Sequence, residues 1–485
     1  MPTADALPFA DLLLNQNFLA GHWTDQGTGE RLTVYDKYHQ TPLGNVPLAT
    51  EAQMEQAIVA AEAGFRALRG WTAEQRSTHL HRIADGLEAQ KEAFARLIVA
   101  EAGKPLDYAR GELSRCLITL RRAAEEVLRF AGEAVPIDFA AGSGRTALTR
   151  RFPIGPVAAI SPFNFPLNLA LHKVAPALAV GNSIVIKPSP YTPLTLLAFA
   201  RLVEEADYPA GTLSVLSCDI PVAEKMVRDE RIKMLSFTGS PKVGWHLKNI
   251  AGRKKVTLEL GGNAAVIVDA GVDLAETARI VAKGAYLYAG QICISTQRIY
   301  VLEEIYDKFL QLLTEAVETL QTGDPAEEAT TIGPIIDEQH LNRIAQWVDE
   351  AQQAGAKVLT GGHLVDRSHR LYAPTLLTHT QPDMKVVSEE VFGPVAVVER
   401  VRDFQAALDA TNHSQYGLQA GVFTNSFSHM KQAHEKLEVG GVIINGIPGF
   451  RVDTMPYGGV KNSGFGREGI RYAMEDMTEP RLLVY

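Results

Sequence analysis

Short apolar runs separated by helix-compatible segments dominate the middle of the chain. Val157–Ser161, Ser183–Lys187, Leu213–Leu216, Met234–Thr238 and Val256–Leu260 recur at intervals of roughly 20–30 residues. This spacing predicts a chain of βαβ units, hence a parallel sheet covered on both faces, with ligands bound beyond the carboxyl ends of the strands. A second set follows at Ala265–Val268, Gln297–Leu302, Val395–Val401, Ala420–Phe423 and Val442–Asn445. The first third reads as helix: Thr50 with Gln53 and Thr72 with Gln75 fit capping boxes ahead of alanine-rich segments with helical spacing. Between helix and sheet, Val135–Pro153 is short, Gly-containing and interrupted by charge, which predicts a protruding two-stranded excursion. The terminal Leu482–Tyr485 suits a peripheral or intermolecular sheet. The fold class is therefore α/β, two doubly wound domains with an excursion that serves assembly, and no solenoid repeat is present.

Composition narrows the chemistry. A length of 485 residues suggests about three domains at ~150 residues each. Lys plus Arg (47) against Asp plus Glu (56) leaves a formal charge of −9, so no positive field draws in nucleic acid or an anionic membrane. The most apolar stretch, Leu167–Val180, is too short to span a bilayer and contains Asn168, His172, Lys173 and Pro176. The amino terminus has acidic residues ahead of its Leu run and lacks the basic region of an export signal. Three cysteines, an odd number in a long chain, fit a reducing cytoplasm in which one thiol is a reagent.

Candidate chemistry lies just after the strands. Ser240, followed by Pro241 at the first helical position, predicts an N-cap, and Gly239 lets a phosphate approach the open helix end. Lys187 ends the second run, where it either reaches a ribose or phosphate or is a solvated loop lysine. Glu259 sits inside an apolar strand end before Gly261 and Gly262. Burial there would raise its pKa towards that of a useful general base, the alternative being a structural carboxylate. Cys293 lies on a Gly-led loop where N–H dipoles can hold a thiolate, whereas Cys116 looks like packing and Cys218 has no activating cation among its flanks. The 13 histidines are scattered and no metal-binding spacing occurs, so no metal is expected.

Together these segments resemble the aldehyde dehydrogenase superfamily. PFNFP (Pro162–Pro166), IKPS (Ile186–Ser189), FTGS (Phe237–Ser240), LELGG (Leu258–Gly262), GQIC (Gly290–Cys293), EEVFGP (Glu389–Pro394) and PYGGVKNSGFGRE (Pro456–Glu468) occur in the family's order and cover nearly the whole chain. The resemblance implies an aldehyde dehydrogenase-like fold: an NAD(P)-binding Rossmann-like domain over 1–130 and 151–258, a catalytic domain over 259–470, and a β oligomerisation element over 131–150 and 471–485. It implies Cys293 as nucleophile, Asn164 as oxyanion donor, Glu259 as the base that activates water, and Glu468 as an acid that relays protons from Glu259. Implied cofactor residues are Ser161, Pro162 and Phe163 after the first run, Lys187, Ser189 and Pro190 after the second, and Gly239, Ser240 and Gly244 after the fourth. Leu260 and Gly261 follow the fifth, Glu390 would hold the nicotinamide ribose, and Phe392 would pack beside the nicotinamide.

Two departures bear on specificity. Many NAD-preferring members carry Glu three residues after the lysine of KPS, where this chain has Pro190, so either NAD or NADP is expected. Asn168 and His172, at i+4 and i+8 from Asn164, put polar groups where aliphatic-aldehyde enzymes carry apolar ones. Arg451 stands at a loop position often aromatic in those relatives, and it either meets an anionic substrate or pairs with Asp453 or another acid. With Ile292, Ile294, Ser295 and Tyr457 these residues form the expected substrate site. The pattern looks most like the lactaldehyde-dehydrogenase-like branch, implying a small hydroxylated or anionic aldehyde. A CoA-acylating enzyme typically lacks the base at Glu259, and a silent structural protein would not need Cys293, Glu259 and Asn164 together. By family, a homodimer or homotetramer is implied.

Overall fold

The computed structural model describes residues 7–485. The start of the segment that argues against an export signal, residues 1–6, lies outside the described residues. The five central runs become the strands Val157–Ile160, Ile184–Lys187, Leu213–Val215, Met234–Thr238 and Lys255–Glu259. They are mutually parallel within an eight-stranded sheet. Val157–Ile160 lies centrally. The chain first adds Ile184–Lys187 and Leu213–Val215 on one side, then returns to add Met234–Thr238 and Lys255–Glu259 on the other. This reversal puts a crevice beyond the carboxyl ends of Val157–Ile160 and Met234–Thr238, where a doubly wound sheet binds its ligand. The helix Asn168–Val180, buried along its whole length, covers one face.

The amino-terminal reading is corrected in part. Both capping boxes form, starting the helices Glu51–Leu68 and Ala73–Ala89. Ahead of them, however, lie the strands Asn17–Leu19, His22–Thr24, Arg31–Tyr35 and Pro42–Pro47. The first two are joined by Ala20 and Gly21, both left-handed (φ 56° and 86°), the geometry of a two-residue hairpin turn. Such short strands leave too little alternation to read. Phe18 pairs with Val215, extending the large sheet, and its far edge gains Gly464–Phe465 beside Leu258 and Glu259. A segment two hundred residues downstream in sequence thereby packs against Glu259.

The second set of runs forms a seven-stranded sheet containing Ala265–Val268, Arg298–Leu302, Val395–Val401, Gln419–Phe423 and Gly441–Ile444. Thr375–Thr378 and the antiparallel edge strand Lys357–Thr360, neither expected from the sequence, complete it. The excursion is the strand Ala147–Pro153, paired along its length with Thr478–Val484 and briefly with Ala134–Val135. The 471–485 segment begins within the helix Ile470–Asp476 and ends in this terminal strand. Among the described residues, no helix is long and apolar enough to cross a membrane.

Candidate active site

A cleft of about 520 Å³ opens at the predicted crevice. Ser161, Pro162, Phe163 and Asn164 enter it from the central strand, Lys187, Ser189 and Pro190 from its neighbour, and Gly239, Ser240, Glu259, Leu260 and Gly261 from the returning strands. Cys293, Glu390 and Phe392 close it from the other unit. Gly244 does not line the cleft. A Cβ there would stand 2.4 Å from Leu260 Cδ2, so this glycine allows the helix Pro241–Ile250 to lie close on the sheet. Tyr191, Val243, His340 and Arg343 also line the cleft and escaped the sequence reading. His340 and Arg343 lie at i and i+3 on the helix Glu338–Gln353, capped by Asp337, and that spacing was the available signal.

Ser240 has the extended backbone of an N-cap, but its hydroxyl accepts no bond from the helix it precedes, contrary to the expected cap. The N–H groups of that first turn are left to face the cleft, an arrangement suited to a phosphate. A Cβ on Gly239 would meet the Phe237 ring at 2.6 Å. At the opposite end Glu390 accepts from Gly262 N–H at 3.0 Å, and burial pushes its carboxyl up to about 7. A Cβ on Gly261 would stand 2.1 Å from Glu390 Oε2, so this carboxylate needs a glycine beneath it. Phe392, itself left-handed (φ 48°), meets the Phe163 ring edge-on at 5.8 Å.

The thiol loop is tightly wound. Tyr288, Ala289 and Gly290 are consecutively left-handed, and a Cβ on Gly290 would come within 2.0 Å of Gly393 O. In the next residue Gln291 O accepts from Asn164 Nδ2 at 3.0 Å, placing the amide beside the thiol loop. Cys293 Sγ lies 3.3 Å from the Tyr457 hydroxyl. Burial pushes this thiol up to about 12, with Glu390 and Glu259 adding to the rise and the Tyr457 hydrogen bond opposing it. The loop N–H dipoles that can hold a thiolate thus act against this burial. Cys116 is buried in the core as expected. Cys218 does have a cation nearby, Lys187, yet burial still pushes its thiol up to about 11.

Glu259 is 3% exposed and neither carboxylate oxygen has a hydrogen-bond partner. Burial, then the charge of Glu468, raises its pKa well above the ordinary carboxylate value. An unpartnered buried carboxylate is costly, and one that lines a cleft beside a thiol is a candidate for chemistry. Glu468 behaves oppositely. Burial pushes it up, but Lys173 (2.8 Å), His172 and Arg451 (3.1 Å) together hold it down to about 2.

On the far side of Cys293 the Arg451 guanidinium lies 3.7 Å from the Tyr457 ring centre. Arg451 does pair with acids, Glu468 and more distantly Asp453 (3.9 Å), yet its Nε has no hydrogen-bond partner. Asn168 and His172 share a face, as the spacing predicted, but as substrate-lining groups they are corrected. Both are buried and turned onto Asp453, His172 Nε2 at 2.8 Å and Asn168 Nδ2 at 3.4 Å. Asp453 is further held by Arg115 at 2.6 Å, a cation that no motif marked. Ser295 Oγ donates to Ala285 O, and Ile292 and Ile294 are packed in the core, so these three support the loop rather than line the cleft.

A thiol, an amide and an unpartnered buried carboxylate thus meet in one cleft at the switch point of a doubly wound sheet. A model of the aldehyde dehydrogenase family matches residues 23–483, and the chain belongs to that family. It is an enzyme of NAD(P)-dependent aldehyde oxidation. It is 42% identical to a 3-sulfolactaldehyde dehydrogenase of Priestia aryabhattai, over 96% of this chain and 97% of the relative. A lactaldehyde dehydrogenase of Methanocaldococcus jannaschii is 37% identical over 96% of this chain and 99% of its own. Among solved structures, aldehyde dehydrogenase 21 from Physcomitrella patens, in complex with the reaction product succinate, superposes with a TM-score of 0.94 at 41% identity, covering 97% of this chain and 98% of that one. A glyceraldehyde-3-phosphate dehydrogenase from Methanocaldococcus jannaschii complexed with NADP gives 0.90 at 37% identity, covering 94% and 99%.

Proposed function

We propose that this chain oxidises a short anionic or hydroxylated aldehyde to its carboxylic acid through a thioester on Cys293. The observation that carries the reading is the meeting of Cys293, the Asn164 amide and the unpartnered Glu259 carboxylate in one cleft. The same cleft fits a nicotinamide dinucleotide. Gly239 and the uncapped start of Pro241–Ile250 would receive the pyrophosphate, Lys187 and Ser189 the adenosine ribose, and Glu390 the nicotinamide ribose. When bound, the dinucleotide supplies the hydride acceptor.

Cys293 Sγ attacks the aldehyde carbon and its proton passes to water in the cleft. Asn164 Nδ2 and the Cys293 N–H hold the resulting oxyanion, a donation worth about 3 kcal/mol each in such sites. Once hydride has left, the carbonyl re-forms as a thioester on Cys293. Glu259 in its ionised form takes a proton from water, whose oxygen attacks the thioester and releases acid and thiol. Lys173 and Arg451 keep Glu468 ionised, and its charge raises the pKa of Glu259 and strengthens that base rather than relaying its proton, which Glu259 sheds to water.

The class of aldehyde rests on Arg451, whose guanidinium packs on the ring of Tyr457, the neighbour of Cys293, and whose Nε has no hydrogen-bond partner. The relatives named for sulfolactaldehyde and lactaldehyde, and the neighbour solved with succinate, support the same class. Glu259 and Glu390 are the only carboxylates lining the cleft among the described residues, so none beside Pro190 repels a 2′-phosphate, and both NAD and NADP are accepted. Leu482, Leu483 and Tyr485 are 61%, 55% and 69% exposed on the terminal strand, which suits a cytoplasmic homo-oligomer built across it. The domain division over 1–130 with 151–258, 259–470, and 131–150 with 471–485 is part of the proposal. Initial-rate kinetics with lactaldehyde, succinate semialdehyde, 3-sulfolactaldehyde and hexanal, each with NAD and NADP and with and without CoA, test it. A polar aldehyde should be preferred and no acyl-CoA should form. A preference for hexanal would refute the substrate class.

A further inference from the structure

Asn164 can stabilise an oxyanion only if its amide is held in place, and the residues after it are tied to a different helix. Asn168–Val180 begins without a capping side chain of its own. Its first amides are capped from the helix Leu106–Arg129, where Glu112 Oε1 accepts from both Leu167 N–H and Asn168 N–H at 3.0 Å. A carboxylate at this end also complements the helix dipole. The other Glu112 oxygen meets Lys104 Nζ at 2.5 Å, and neither side chain has any exposure. Lys104 Nζ in turn lies 3.5 Å from the centre of the Phe165 ring, directly after Asn164. Two turns along from Glu112, Thr119 donates to Asn168 Oδ1 at 3.3 Å.

A buried ion pair is a poor device for stability alone, because a well-packed apolar pair of the same volume often serves as well. What an apolar pair cannot do is accept two backbone N–H bonds and hold a cation against an aromatic face. Neither Lys104 nor Glu112 lines the cleft. We propose that the Lys104–Glu112 pair is a positioning element for the aldehyde-activating amide: Glu112 fixes the start of the helix, Lys104 fixes Phe165, and Asn164 is held between them against Gln291. The inference rests on the reading of Asn164 as oxyanion donor.

The test uses the full-length enzyme with lactaldehyde and NADP and measures three quantities. These are the pre-steady-state burst of NADPH, the rate of Cys293 alkylation by iodoacetamide, and the NADP dissociation constant. Glu112→Gln and Lys104→Met should each slow the burst about tenfold or more, since small displacements of an aligned group carry such losses. Alkylation and NADP binding, which do not use the Asn164 amide, should stay at wild-type values. The double variant, which removes the charge from both contacts, should give a burst no faster than the slower single variant. Lys104→Arg keeps the charge and guards against a misfolded single variant. It should slow the burst in the same selective way, and a full-rate burst in it would overturn the proposal. Equal losses of burst and alkylation would also overturn it, because they mark general loosening. Asn164→Ala separates the two readings: if it leaves the burst intact the oxyanion assignment fails, and if it slows the burst while Glu112→Gln does not, the positioning role alone fails.

Discussion

Glu259→Gln separates acylation from hydrolysis. The substitution keeps the shape of a side chain whose two oxygens have no hydrogen-bond partner, so no neighbour loses a bond. What disappears is a base, and a positioned base contributes about 10²- to 10⁴-fold, or roughly 3–5 kcal/mol of barrier. Stopped-flow assays should show about one equivalent of NADPH formed in a burst, followed by a steady state slower by that factor. The wild-type hydrolysis rate should rise with pH through the raised Glu259 pKa, because only the ionised form accepts a proton from water, and the variant should be flat. The stability sign follows from the same shift. With its folded-state pKa raised, Glu259 contributes fully below its unfolded value near ~4.3 and loses that contribution as pH rises through the folded one. Glu259→Gln should therefore melt above wild type at alkaline pH, with the gap closing towards acid pH. A variant that turns over within about tenfold of wild type and shows no burst would refute the assignment of Glu259 to hydrolysis.

Other consequences are equally direct. Arg451→Leu should lower kcat/KM for succinate semialdehyde by roughly tenfold to a hundredfold, the worth of a charged hydrogen bond, and much less for neutral glycolaldehyde; equal losses would contradict the anion site. Pro190→Glu should weaken NADP by about tenfold or more while sparing NAD, and unchanged NADP binding in calorimetry would show that this position does not face the 2′-phosphate. Iodoacetamide alkylation of Cys293 in the free enzyme should climb with pH without a plateau below about 9, since burial pushes the thiol up to about 12. Tyr457→Phe should slow alkylation further, because the hydroxyl opposes that rise.

The central strands and much of the cleft were legible because each of these strands is apolar almost throughout and the motifs of the first sheet follow its strand ends, so order in sequence maps onto one crevice. Gly239 and Glu259 were found that way, and Glu390 only through the resemblance of its motif. Residues brought in from distant segments were not. Arg115 and Glu112 sit on an amphipathic helix and Lys104 just ahead of it, where charged positions read as solvated, and only packing shows which of them turn inward. His172 and Asn168 mark the limit of periodicity: spacing put them on one face, but it could not reveal that Asp453, nearly three hundred residues away, occupies that face. The burial of Cys293 was hidden for a related reason, since loop dipoles are visible in sequence and packing around the thiol is not.

Peptide mass spectrometry of the enzyme quenched with acid during turnover of lactaldehyde and NADP, in the wild type and in Glu259→Gln, tests the central claim most directly. The account predicts an adduct of the aldehyde less two hydrogens on the peptide containing Cys293, faint in the wild type and near stoichiometric in the variant. An adduct on Cys116 or Cys218, or full oxidation of lactaldehyde by Cys293→Ala, would contradict it.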